Sequence, residues 1–192
     1  MNLQPIFIQD VLKPIVDKVS ANLLPQLQQA DEMITGVHYQ YGHPLEIVNT
    51  LGQFTQGETS RYNKYPLIAL FLDTTEDVGR DKGVYAEYNL HLAIIRACKS
   101  PNQVAKERDD FNFKPVLIPI YLELMKQMKY SGVFTGFTDK IPHRKTNRYY
   151  WGKEGLFGNE GNIFNDWVDC VEIENLKVKI VDNYCPPKVV VV

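Results

Sequence analysis

Cysteine is scarce in this chain and nothing in the spacing pairs it. Cys98, Cys170 and Cys185 are the only three in 192 residues, and no two stand in a CxxC arrangement. An odd number cannot all be joined within one chain, which excludes a disulfide scaffold and suits reduced core thiols in a reducing compartment. Long hydrophobic runs are missing too: nowhere do eighteen apolar residues follow one another. The opening MNLQPIFIQD has no basic stretch followed by an apolar run and a small-residue cleavage site. A soluble chain assembled inside a cell, with no membrane partner, is the expectation. An excess of one charge is also absent. A formal net charge of -2 excludes the overall basic footprint of a dedicated nucleic-acid binder and leaves room only for a local patch.

The usual signatures of chemistry are equally sparse. There is no GxSxG, no GxGxxG, and Gly152-Lys153-Glu154 has neither the spacer nor the Ser/Thr of a phosphate-binding loop. Asp73, Glu76, Asp77 and Asp81 crowd together, but in no calcium-loop spacing, so a solvated turn explains them best. His38 and His43 are five apart, where one helical face of a metal site needs four. His91 lies across its strand from Leu90 and Leu92 and reads as a hydrogen-bonded sheet residue. No enzyme activity, cofactor or metal is expected.

What is present is a full-length apolar pattern. With 44% hydrophobic and 23% charged residues, the chain suits one domain with a complete core. Ile8, Val11, Leu12, Ile15, Val16, Val19 and Leu23 recur at three- and four-residue steps, predicting an opening amphipathic helix, bent at Pro14 and ended near Pro25. VHYQY alternates like a short strand, LEIVNTL is open between helix and strand, and GQFTQGETSRYNKYP is polar and turn-rich. Leu67–Asp73 is a buried strand and Tyr85–Ala97 an alternating one, joined as an antiparallel hairpin through TTEDVGRDKG.

Ser100-Pro101 resembles a helix start, and NQVAKERDD suits a short helix carrying its charge outward. Phe113, Val116, Leu117, Ile120, Tyr121, Leu124, Met125 and Met128 then form a longer stripe, kinked at Pro119 and stopped at Gly132. The last element, Cys170–Val181, alternates with a slip at Glu174-Asn175 that predicts a bulge. The fold expected is a single α+β domain over 1–192, with a mostly antiparallel sheet and helices packed on one face.

One stretch stands apart. Residues 141–167, IPHRKTNRYYWGKEGLFGNEGNIFNDW, hold both tryptophans and the glycines Gly152, Gly155, Gly158 and Gly161, and read as a long loop or arm at about 138–168. Lys140, Arg144, Lys145, Arg148 and Lys153 interleave there with Tyr149, Tyr150 and Trp151. Such a mixture grips phosphates and stacks on bases, and it is also what protein interfaces concentrate at their centres. The slightly acidic whole favours an interface, with a nucleic-acid-binding accessory module as the alternative and a loop packed on its own domain as the third reading. The tail at 186–192 begins with Pro186-Pro187 and ends in Val189, Val190, Val191 and Val192, suited either to a neighbour's sheet or to disorder.

The order of elements, with IQDVLKPIVDKVSANL, YGHPLEIVNTL, KYPLIALFLD, YNLHLAIIRACK, FKPVLIPIYLELMKQM and NIFNDWVDCVEIENLKVKI, resembles the tail-completion (tail-terminator) and neck-ring proteins of tailed bacteriophages. The resemblance implies a structural virion protein, assembled in the host cytoplasm, that forms a six- or twelve-fold homo-oligomeric ring at the head-tail junction. Its partners there would be portal, connector or tail proteins, with non-specific contact to DNA in the lumen. Contacts are expected from Arg144, Arg148, Tyr149, Tyr150, Trp151, Phe157 and Trp167, and from Val189, Val190 and Val191 of the tail.

Overall fold

A computed structural model describes residues 6–44, 46–47, 64–79, 83–98, 102–137, 139–151 and 167–181, with Asp73 described by its backbone only. The second half of LEIVNTL, most of the polar stretch after it, the Ser100-Pro101 helix start, residues 152–166 and the valine tail lie outside the described residues.

Helix α1 spans Ile8–Ala30 and buries Ile8, Val11, Leu12, Ile15, Val16, Val19, Leu23 and Leu27. It runs through Pro14 and past Pro25, to five residues beyond the end predicted from the sequence. Both prolines stand on the exposed face. Carbonyls that lose their amide partner there can turn to water, which lowers the cost of an interior proline.

Strand β1 (His38–Gly42) pairs parallel with β2 (Leu67–Val78), and β2 pairs antiparallel with β3 (Val84–Ala97). The β2–β3 hairpin is tighter than the ten-residue loop read from sequence. Both strands continue into the polar stretch, to Val78 and from Val84, and next to their ends Gly79 (φ 68) and Gly83 (φ 80) take the left-handed region that glycine tolerates best. Strand β6 (Val168–Val181) lies on the other side of β3, antiparallel to it. Its partners step from Leu90–Leu176 to Leu92–Ile173, and Asn175 has φ 53, so the bulge read from the slipped alternation is present.

A continuous helical segment follows β3. It consists of α2 (Ala105–Arg108), a π-helical stretch (Asp109–Leu117) and α3 (Ile118–Tyr130). The widened stretch ends just before Pro119, which stands in the first turn of α3, and the Ile118 amide reaches back five residues to the Phe113 carbonyl. Pro115 and Pro119 supply no amide, and a wider turn relieves the crowding of their rings against the preceding carbonyls. Gly132 (φ 73) ends the segment as expected.

The sheet has six described strands in the order β1-β2-β3-β6-β4, and β5 (Arg144–Trp151) lies on the same side of β6 as the two-residue β4 (Phe134–Thr135). Only the β1–β2 pairing is parallel, so the α+β architecture and its mostly antiparallel sheet are as read. The expected irregular segment is narrower than 138–168, because Arg144–Trp151 is strand. β6 offers an open edge beside those residues, and RKTNRYYW has the aromatic and threonine content that an edge strand tolerates.

Helix α1, the π-helical stretch and α3 all pack on one face of the sheet, over Ile68, Leu70, Leu90, Leu92, Ile94, Val171, Ile173, Leu176, Val178 and Ile180. The opposite face carries a second apolar cluster that includes Ile47, Leu67, Ala69, Phe71, Ala93, Ile95, Cys170 and Trp151. Apolar residues on both faces explain why LIALFLD reads as a continuous run rather than an alternation. Leu92 is wholly buried at the centre of the first face, so Leu92→Ala should lower unfolding stability by about 2–5 kcal/mol, measured by chemical denaturation.

Candidate functional site

The residues singled out between 141 and 167 are distributed by one irregularity in β5. Pairing with β6 steps from Arg148–Cys170 to Trp151–Val168, so β5 carries one extra residue, and Tyr150 sits at φ 53. A strand alternates faces, and an inserted residue moves everything after it to the other face. Arg148 and Trp151 therefore share the second face, while Tyr149 turns towards the helices.

Trp151 is only 9% exposed and meets Phe71, with ring centroids 6.2 Å apart. It belongs to the core of its own subunit, which corrects its expected place on a contact surface. Tyr149 packs on Phe113 at 4.7 Å, and its hydroxyl donates to Asp109 Oδ1 at 2.5 Å, a bond that pushes its pKa up to about 12 with help from burial. Arg144 keeps 73% of its side chain exposed, with Glu174 3.8 Å away. Trp167 is 40% exposed and stands edge-on to Tyr150 at 5.4 Å. Phe157 and the valines Val189, Val190 and Val191 lie outside the described residues.

Beneath Tyr150 lies a buried polar cluster that the sequence reading missed. Arg108, expected to point outward with the rest of NQVAKERDD, is 0% exposed. Its Nη1 donates to Asp169 Oδ1 at 2.6 Å and to Cys98 Sγ at 2.7 Å, and its Nε donates to the Gln103 carbonyl at 3.0 Å. Asn112 Nδ2 donates to Asp169 Oδ2 at 2.6 Å. The Tyr150 ring stacks on the guanidinium 3.3 Å from its centroid, and its hydroxyl donates to Gln103 O at 2.7 Å.

Burial works against the Arg108 charge, but Asp169, Cys98 and Tyr150 together outweigh it and hold the guanidinium above its ordinary pKa. The Cys98 thiol is pushed up to about 12 by burial first and by Asp169 second, and burial raises Cys170 as well. Both thiols are protonated at neutral pH, so neither has the thiolate character a nucleophile needs. The cluster is a structural clamp between β6, β5, the end of β3 and the helical segment. One signal in the sequence pointed to it: extending the stripe Phe113–Val116–Leu117–Ile120 back by whole turns reaches Asn112 and Arg108.

A second cluster lies on the opposite face. Glu172 accepts from His91 Nε2 at 3.0 Å and from Arg148 Nε, and these two partners hold its carboxyl below the usual range although burial opposes them. His91, Glu172 and Glu174 each bring a ligand atom within 4.8 Å of the others, the one such set among the described residues. Arg148 and Arg144 already face these carboxylates, so a divalent ion would have to displace arginines. The arrangement is an ion-pair ladder across β5, β6 and β3. Of the acidic turn, Glu76 accepts the Tyr88 hydroxyl at 2.7 Å and Asp77 is exposed on β2, while Asp81 lies outside the described residues.

Grooves lined by described residues open at the surface, and three of them bear on the site. The first, about 820 Å³, runs between α3 and the segment before β5, lined by Tyr121, Met125, Ile141 and Pro142 with Lys126, Lys129, Lys140 and Lys145 around it. Within it the Tyr121 hydroxyl and His143 Nε2 are 2.8 Å apart, and burial lowers the pKa of Lys145. The other two grooves, about 700 and 410 Å³, follow one another along the outer edge of β1. No protein-family model matches this chain, and comparison with curated proteins finds no match.

Removing one member of a buried ion pair strands the other. Asp169→Ala should cost about 3–5 kcal/mol of unfolding stability, read by urea denaturation. Trp151→Ala should also act on folding, by about 3–5 kcal/mol. Because the Glu172 value is depressed, its contribution is complete above the unfolded glutamate value of about 4.3 and is lost as pH falls through the folded value. Stability measured from pH 6 to 3 should therefore fall less steeply in Glu172→Gln than in the parent chain.

Proposed function

We propose that this protein is a structural subunit that assembles head to tail into a closed ring, and that the ring sits at the head-tail junction of a tailed bacteriophage. The observation that carries the assembly reading is a single sheet with two unlike outer edges among its described strands, β1 at one end and β5 with β4 at the other. An open strand edge is a template for pairing. Two different complementary surfaces on one subunit make a heterologous contact, and such contacts close into rings when the rotation per subunit divides a full turn.

The place in a virion rests on the resemblance of the element order to tail-terminator and neck-ring proteins, from the opening helix through the hairpin and the helical segment to the final long strand. The polar clusters fit a non-catalytic subunit. The acids of the buried clamp and of the ion-pair ladder are neutralised by arginines, and the described thiols are held protonated. Among the described residues expected at a contact surface, Arg144 and Trp167 are the exposed ones.

The alternative of a nucleic-acid-binding module has one observation in its favour, the four lysines around the groove beside α3. Single-stranded DNA held there would show a steep salt dependence, lost on replacing Lys129 and Lys140 by glutamate.

Light scattering across a concentration series, with negative-stain electron microscopy, tests the leading reading. Closed rings are expected, and Arg144→Ala should shift the mass towards the monomer while leaving the unfolding midpoint nearly unchanged. A monomer at every concentration rejects the proposal.

A further inference from the structure

The outer edge of β1 has no partner strand among the described residues. His38 donates its amide to the Pro66 carbonyl at 2.8 Å, so the backbone groups of His38 face β2. Successive residues of a strand alternate in direction, which turns the N–H and C=O of Tyr39 and Tyr41 away from β2. Among the described residues β1 pairs with β2 alone. Four backbone polar groups therefore face outward along one short edge.

They face the two grooves, which run end to end there. One is lined by Gln9, Asp10 and Lys13 of α1 and by Gly42, Ile47 and Leu72. The other is lined by Lys13 and Asp17 together with Lys64 and Leu67. Each groove thus has a wall from α1, on the first face of the sheet, and reaches a residue of the second face, Ile47 in one and Leu67 in the other. Each straddles the sheet plane at the position of a further strand. The Gln40 side-chain oxygen is buried at this edge with no hydrogen-bond partner, and Gln40 lines both grooves. A buried acceptor left unpaired costs about 1–3 kcal/mol, so a donor brought to it adds to binding.

Resting on the ring reading above, we infer that the β1 edge binds strand β5 of a second copy of this chain by strand addition, so that the sheet continues from subunit to subunit. Charge favours this occupant. The grooves carry Asp10, Asp17 and Glu46 against Lys13 and Lys64, and Lys13 is held by Asp17 at 2.5 Å. RKTNRYYW has no carboxylate, and Arg144 and Lys145 stand exposed at its start. Continuity favours it as well, because among the described strands β5 lies at the opposite end of the same sheet. Pairing β1 with β5 of the next copy leaves one β5 and one β1 open for further copies, which is the head-to-tail pattern. Main-chain bonds supply the affinity and the charges set the register.

The test is a proline at the exposed end of the edge. Tyr41 is 50% exposed, and Tyr41→Pro deletes an outward amide without touching the bonds to β2, a placement edge strands accept. Tyr41→Ala removes the same side chain and keeps the amide. Rings are expected from the parent and from Tyr41→Ala, with the Tyr41 amide exchanging at least tenfold more slowly in the ring than in the dissociated subunit. Tyr41→Pro should remain monomeric with an unaltered circular dichroism spectrum. Arg144→Glu with Lys145→Glu should lose assembly, and adding Asp10→Lys with Glu46→Lys should restore part of it.

Rings formed equally well by Tyr41→Pro would overturn the strand-addition site while leaving the ring reading standing. Assembly that is lost in Tyr41→Pro but indifferent to reversal of Arg144 and Lys145 would overturn β5 as the occupant. A parent that stays monomeric with a slowly exchanging Tyr41 amide would mean that the chain fills its own edge, and would reject both readings.

Discussion

The Arg108–Asp169 pair holds the end of this molecule together. Taking a guanidinium and a carboxylate fully out of water costs several kcal/mol for each ion, and their attraction offsets that only when the remaining donors and acceptors are also met. Here Cys98, Gln103 and Asn112 meet most of them, and the Tyr150 ring covers the flat face of the guanidinium. Each partner comes from a different part of the chain, so satisfying one charge fixes β6, the bulge of β5, the start of the helical segment and the residue after β3.

The bulge in β5 follows from that constraint. Tyr150 can lie on Arg108, and its amide can reach Asp169 at 3.3 Å, only if the strand admits an extra residue. The same insertion turns Trp151 to the second face, where it closes the small cluster around Phe71 and Cys170. Arg148, one register step before the bulge, meets Glu172 and extends the ladder to His91. A polar clamp on one face and an aromatic contact on the other are thus two consequences of one backbone irregularity.

This arrangement divides the basic-aromatic stretch into two roles. Its aromatic half serves the fold, and Arg144 and Lys145 stay at the strand's exposed start, where positive charge discourages indiscriminate pairing. At an edge guarded by charge, opposite charge on a partner would favour pairing. The β1 edge, flanked by α1 and carrying more carboxylates than lysines, has that character.

Periodicity alone located α1, the β2–β3 hairpin, the helical stripe and the β6 bulge, because burying apolar side chains at steps of two or of three to four is a local requirement written into the order of residues. Helix α1 outran its predicted end because the cost of a proline depends on whether its neighbours face water, which the order of residues does not state. Arg108 and Trp151 were misplaced for a related reason. An arginine among charged neighbours and a tryptophan in a glycine-rich stretch look like surface residues until a carboxylate 61 positions away and an inserted residue bring them inside. The sequence by itself determined which elements form and which faces are apolar. The tertiary structure decided which charges are buried, since a buried charge is tolerable only where distant parts of the chain supply its partner.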